Sequence, residues 1–306
     1  MTIDSFETYM PGEHPNRVKV RNYVKDCCDE FIQNGLADSK FLSELHSGEE
    51  QKFWACVSEA LIAHYLEGKQ FGNPDKIGIG PDFLIINNQQ RIWVEVVCPE
   101  PIDIPTEWCD ADWGKAISFP HNEILLRWTS AIISKIDKLM GSARTGKSGY
   151  LASGLVGVSD AYVIAVNACR LKNGPFPELY GISRTPFAAE AVLPIGPYVI
   201  QIDNKSLKMS EGGLQYRPSI PKPNGSVVPA ETFLDPNFAP VSAIWALQFD
   251  GGSAIGYIEP SLMIHNPYAK NPVPIGFFPT NEEYSIRIEE DKFILQKHST
   301  GTPDAG

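Results

Sequence analysis

The chain has little that would place it in several large functional classes. Its 306 residues contain no CxxC pair among six cysteines (27, 28, 56, 98, 109 and 169) and no HExxH among six histidines. Zinc-ribbon and zincin chemistry lose their usual signatures. The cysteines sit in apolar runs such as ACVSEA and VEVVCPE, so they read as core thiols of a reducing compartment. There is no excess of positive charge: 26 Lys and Arg stand against 37 Asp and Glu, a net charge of −11. Such a balance argues against a protein that coats nucleic acid non-specifically, although it leaves room for a local basic groove. No apolar run is long enough for a bilayer, and the opening MTIDSFETYMPGEH has no signal-peptide core. The expectation is a cytoplasmic protein with no membrane partner.

What is present suits a globular chain, with 43% hydrophobic and 21% charged residues. Residues 16–36 predict a helix ending near Gly35, after an irregular entry over 1–15. FWACVSEALIAHYLEG (53–68) predicts a helix stopped by Gly68. DFLII (82–86) and RIWVEVV (91–97) predict strands across the turn-like NNQQ. NEILLRWTSAIISKIDKLM (122–140) predicts a second long helix, and AYVIAVNA (161–168) a buried strand. The remainder reads as mostly β: AEAVLPIGPYVIQI, SAIWALQF (242–249) and SLMIHNP (261–267), with a Pro- and Gly-rich loop over 204–240. The expected class is mixed α/β, in one domain over 1–306. A core of about 50–170 carries a β-rich extension over 171–297 and a disordered tail over 298–306.

Residues 141–148, GSARTGKS, match the phosphate-loop pattern G-x-x-x-x-G-K-[ST]. A phosphate loop leaves a strand and opens a helix, so that its N–H groups converge on phosphate. Here the segment follows the long helix, and the following strand ends in Asn167 rather than an acidic metal ligand. The expectation is a Gly-rich helix stop and exposed loop. A nucleotide hydrolase built on Lys147 is the weaker alternative.

The more specific signal is GPDFLIINNQQRIWVEVV. If the two strands form a hairpin, Ile86 pairs with Arg91, Leu84 with Trp93 and Asp82 with Glu95. Directly opposed residues share one face with Cα atoms about 4.5–5.5 Å apart. Two carboxylates side by side repel, and a hard divalent cation would offset that. Glu95 also interrupts the apolar run IWVEVV, where a buried strand wants an apolar residue. A plainer account is an edge strand with a solvated polar face, which explains Arg91 and Glu95 but leaves Trp93 exposed. Two further charges fall on apolar helix faces. Glu59 has Ala55, Cys56, Ile62 and Ala63 at i±3 and i±4, and Lys135 lies beside Trp128, Ala131, Ile132 and Leu139. Each singly fits a boundary position, and a lysine can snorkel. Together they point to one centre.

With Pro81–Asp82, twelve intervening residues and Glu95–Val96–Val97, the chain resembles the PD-(D/E)XK, or restriction-endonuclease-like, nuclease superfamily. The resemblance spans about residues 50–170. It implies an αβββαβ core, with Asp82, Glu95 and the carbonyl of Val96 holding Mg²⁺ or Mn²⁺, joined by Glu59 from the first helix. It implies hydrolysis of phosphodiester bonds, with DNA or another nucleic acid as substrate. The departure is Val97, which stands where the family motif has lysine. Lys135 is the candidate for a lysine moved to the next helix, ahead of Lys138 and Arg127. Arg127, Lys138, Arg144 and Lys147 are candidate backbone contacts. Without a substitute cation, the resemblance implies a catalytically inactive nuclease-like domain that binds or scaffolds. The oligomeric state and the role of IHNPYAKNPVP (264–274) stay open.

Overall fold

The structure is a computed structural model that describes residues 4–72, 80–110, 115–142, 145–172, 179–200, 202–206, 209, 212–290 and 292–299. Four helices come first: α1 (Ser5–Tyr9), α2 (Pro15–Gln33), α3 (Phe41–Leu45) and α4 (Glu50–Tyr65). The expected irregular entry is thus partly helical, because Asp4 caps α1 by accepting from the amides of Phe6 and Glu7. Then follow β1 (Gln70–Phe71), β2 (Phe83–Asn87), β3 (Gln90–Val97), α5 (Thr106–Cys109), α6 (His121–Met140), α7 (Tyr150–Ser153) and β4 (Ala161–Asn167). The AEAV segment expected as strand is instead α8 (Phe187–Val192), whose residues are all buried. An apolar run of this length carries no periodicity that separates helix from strand.

Residues 204–240, expected as one loop, contain small hairpin pieces. Strand β5 (Ile195–Val199) pairs with β6 (Gly213–Tyr216), and β7 (Ser219–Pro221) pairs with β8 (Val227–Pro229). The last four strands are β9 (Ala243–Leu247), β10 (Ser261–His265), β11 (Glu282–Ile288) and β12 (Phe293–Ser299). His298 and Ser299 therefore belong to a strand, not to the expected tail, whose residues from 300 on lie outside those described.

One eight-stranded sheet runs β1-β2-β3-β4-β9-β10-β11-β12. It is mixed: β3–β4, β4–β9 and β10–β11 are parallel pairs, while β1–β2, β2–β3, β9–β10 and β11–β12 are antiparallel. The C-terminal strands thus continue the sheet of the N-terminal half. All seven residues of β4 are buried, as expected of a parallel strand covered on both faces. Alternation sorts the side chains. Leu84, Trp93, Tyr162 and Ile164 pack on one face beneath α6 and α8, whereas Ile85, Val94, Val163 and Trp245 pack on the other beneath α2 and α4.

The segment 264–274 is a strap across loops. Asn266 Nδ2 donates to the carbonyls of Phe238 and Val241, and Asn271 Nδ2 to those of Val158 and Asp160. Below it, the fully buried Glu283 accepts from His265 Nε2 at 2.7 Å, the Gly276 amide at 2.9 Å and Thr280 Oγ1 at 3.0 Å.

Candidate functional site

The β2–β3 hairpin has the register the sequence predicts: Leu84 opposes Trp93 and Ile86 opposes Arg91. Its turn is tighter than NNQQ suggested. Asn87 and Gln90 pair, leaving a two-residue turn with Asn88 at φ 55°, a conformation that asparagine tolerates. Asp82 falls one residue before β2, continuing the register opposite Glu95. Its Oδ2 accepts the Val96 amide at 2.5 Å. This bond closes the open end of the hairpin and fixes the Asp82 carboxylate beside the Glu95 strand.

Strand β3 is interior, held between β2 and β4, so the edge-strand account fails. Glu95 is fully buried and shares the α6 side of the sheet with Trp93. A lone carboxylate there would be costly. Two ammonium groups offset that cost: Lys135 Nζ and Lys138 Nζ each lie 2.7 Å from the same atom, Glu95 Oε1. Among the described residues the other oxygen, Oε2, is buried and accepts no hydrogen bond of ordinary length, although the Tyr150 hydroxyl is close enough to Glu95 to feel its charge.

The helix that brings the lysines is positioned by its apolar stripe. Leu125, Trp128, Ile132, Ile136 and Leu139 are buried against the sheet. Lys135 and Lys138, three residues apart, emerge beside the stripe on neighbouring turns. Their exposure differs: the Lys135 side chain is 12% exposed and that of Lys138 is 51%. Helix α6 ends at Gly141, with φ 91°. The loop that follows folds back on itself, Ser142 bridging Lys147, and Gly149 returns to the helix end. A Cβ on Gly149 would meet the Gly141 nitrogen at 2.3 Å, so this closure requires glycine. Tyr150 then reaches the hairpin entrance, its hydroxyl donating to the Gly80 carbonyl at 3.3 Å. GSARTGKS therefore closes a helix-to-helix connection, with no strand before it.

Glu59 arrives from α4, across the sheet from α6. Among the described residues it makes no hydrogen bond or ion pair, yet it is within electrostatic reach of the other charges. Burial, and then the Asp82 carboxylate, push its pKa well above the usual range, with Lys135 opposing. Burial and Glu95 likewise push Asp82 up to about 7, opposed by Lys135 and the Val96 amide. Burial works against the Lys138 ammonium, but Glu95 outweighs it and raises its pKa. The structure thus gathers Asp82, Glu95 and Lys135 closely, with Glu59 facing them from the opposite helix. Among the described residues, no three His, Cys, Asp or Glu side chains form a ready metal cluster.

Two neighbours, Tyr162 and Tyr150, are new to the site, and Lys138, which the sequence places behind Lys135, shares the same Glu95 oxygen with it. Tyr162, buried on β4, donates to the Lys135 carbonyl at 3.4 Å, and burial with the Glu95 charge raises its pKa well above normal. Tyr150 had no sequence signal, because its place depends on how the preceding loop closes. Of the other candidate cations, Arg127 lies eight residues before Lys135, about 12 Å along the helix. Its Nε is buried and, among the described residues, has no hydrogen-bond partner. Lys147 is exposed on the loop, and Arg144 lies outside the described residues. All six cysteines are free thiols, and among the described residues no helix is long and apolar enough to cross a membrane. Comparison of the chain with protein-family models, curated proteins and solved structures gives no match in any of the three.

Proposed function

We propose that this protein is a metal-dependent phosphodiester hydrolase of the restriction-endonuclease-like kind, acting on DNA or another nucleic acid. The observation that carries the reading is the contact between Lys135 and Glu95, 2.7 Å across the helix–sheet interface. It brings an ammonium to the acidic hairpin although the strand itself has Val97 where that motif has lysine. With the one-turn helices α5 and α7 set aside, the order α4, β1, β2, β3, α6, β4, with β4 parallel to β3, is consistent with an αβββαβ core.

The residues fit a hard divalent cation. Among the described residues Glu95 Oε2 is a buried acceptor without a hydrogen-bond partner, Asp82 supplies a second carboxylate, and both sit among more acid than the two lysines neutralise. Asp82, Glu95 and the Val96 carbonyl would hold Mg²⁺ or Mn²⁺, with Glu59 adding acidic character from the α4 side. Such an ion supplies a bound water of lowered pKa and neutralises phosphate charge. Lys135, fixed by Glu95, orients the attacking water and stabilises the negative charge that grows on the phosphorus oxygens. Tyr162 holds the Lys135 turn through its carbonyl. Cysteines kept as free thiols suit a cytoplasmic protein.

Purified protein with Mg²⁺ or Mn²⁺ nicks supercoiled plasmid on this reading, and Asp82→Ala abolishes nicking. Nicking retained at full rate in that variant refutes it. The second reading is a nuclease-like domain that binds without cutting. The net charge of −11 and the internal pairing of both lysines favour it. Calorimetry separates the two, since the non-catalytic reading expects no divalent-ion binding that Glu95→Ala removes.

A further inference from the structure

Two ammonium groups on one carboxylate oxygen form an unusual arrangement. They repel each other, and among the described residues the second oxygen of the same carboxylate stays buried without a hydrogen-bond partner. A carboxylate with two free donors nearby would ordinarily take one on each oxygen. The lysines also differ in freedom. Lys135 is nearly enclosed, and its turn is held by Tyr162. Lys138 is half exposed, so its long stem can swing into solvent without opening the core. It stands in the last turn of α6, next to the exposed loop that carries Lys147.

We propose that Lys138 is an exchangeable counter-ion: it neutralises Glu95 in the metal-free protein, yields that carboxylate to an entering divalent cation, and turns outward to contact a phosphate of the bound nucleic acid. The proposal rests on the metal-site reading above and adds a role that reading does not contain. Three carboxylates, Glu59, Asp82 and Glu95, face two ammoniums. When a dication arrives, Lys138 becomes the surplus charge, and like-charge repulsion expels the more exposed of the two lysines. The outgoing ammonium then lies at the mouth of the site, where a polyanion approaches. Metal and lysine compete for Glu95, whereas lysine and substrate cooperate.

The test is Mn²⁺ titration by calorimetry on the full chain, for the wild type, Lys138→Met and Lys138→Arg. A second titration measures binding of a short DNA duplex with Ca²⁺ present. Removing a competing cation gives Lys138→Met about tenfold tighter Mn²⁺ binding and about tenfold weaker duplex binding. Lys138→Arg keeps wild-type-like values for both. A purely structural lysine would not move the two affinities in opposite directions. Wild-type Mn²⁺ binding with unchanged or weaker binding in Lys138→Met overturns the exchange and leaves the metal site standing. No Mn²⁺ binding in any of the three proteins overturns the metal site, and the exchange with it. Circular dichroism of each variant confirms that folded protein is being compared.

Discussion

The Asp82 carboxylate accepts the amide of Val96 at 2.5 Å, so the acidic residue at one hairpin end is tied to the residue after the buried glutamate of the other strand. One side chain thereby secures the register and holds two negative charges together. Stability and function pull against each other at this point, and that conflict is measurable.

Asp82 has a pKa of about 7 in the folded protein against an ordinary value of 3.8, burial first and Glu95 second being the causes. The folded state therefore binds more protons than the unfolded state between those values. Its stabilising contribution is present below about pH 4 and lost as pH rises through about 7. Urea midpoints of the metal-free protein from pH 4 to 8 should fall with pH. Asp82→Asn should flatten that fall, while Glu59, shifted in the same direction, leaves a residual slope. A slope unchanged in Asp82→Asn would remove Asp82 from the coupled group.

Glu95→Gln leaves Lys135 beside a neutral amide in a nearly closed site. Removing one member of such a buried pair costs about 3–5 kcal/mol. The double variant Glu95→Gln/Lys135→Met should recover a large part of that loss. Chemical denaturation of the two single variants and the double variant completes the cycle, and additive losses would show that the contact is weak.

Burial raises the Glu283 pKa, but His265, the Gly276 amide and Thr280 outweigh it, so the net shift is downward. The stability it contributes is present above its ordinary value of 4.5 and disappears as pH falls below it. Glu283→Gln should destabilise the protein at pH 7 and lessen its acid sensitivity. Thermal melts at pH 7 and pH 4 compare the two proteins, and parallel losses at both pH values would contradict the prediction.

Asn167 uses its whole amide. Nδ2 donates to Ser58 Oγ and the Phe249 carbonyl, and Oδ1 accepts the Phe249 amide, each at 2.9 Å. Each buried group left unpaired by Asn167→Ala costs about 1–3 kcal/mol. Equilibrium unfolding should show that loss, with divalent-ion affinity unaltered. Changed affinity would place Asn167 nearer the acidic hairpin than its bonds suggest.

Much of the frame was legible in the sequence because its period and punctuation were strong. The two long helices, the hairpin register and the buried β4 follow from apolar stripes, β-branched runs and a short polar turn. Lys135 was legible because a lysine on an apolar helix face needs a reason. What failed was of other kinds. The segment around Ala189 and Ala191 is too short and uniformly apolar for its period to decide, and packing under α6 made it a helix. The pairing of β9 with β4 joins residues about eighty positions apart, which no local pattern reports. Lys138 was named, but its sharing of one Glu95 oxygen with Lys135, like the place of Tyr150, is a tertiary fact.

Because the two ammoniums ride on a helix while Asp82 and Glu95 belong to the hairpin, the spacing between these cations and anions is set by how α6 seats on its bed. Ala131 is a small buried residue on the underside of that helix. A bulkier side chain there would act as a wedge, lifting Lys135 and Lys138 in concert from Glu95 with every charge still in the sequence. Whatever chemistry this centre performs, its tuning screw lies in apolar packing a turn away from the charges themselves.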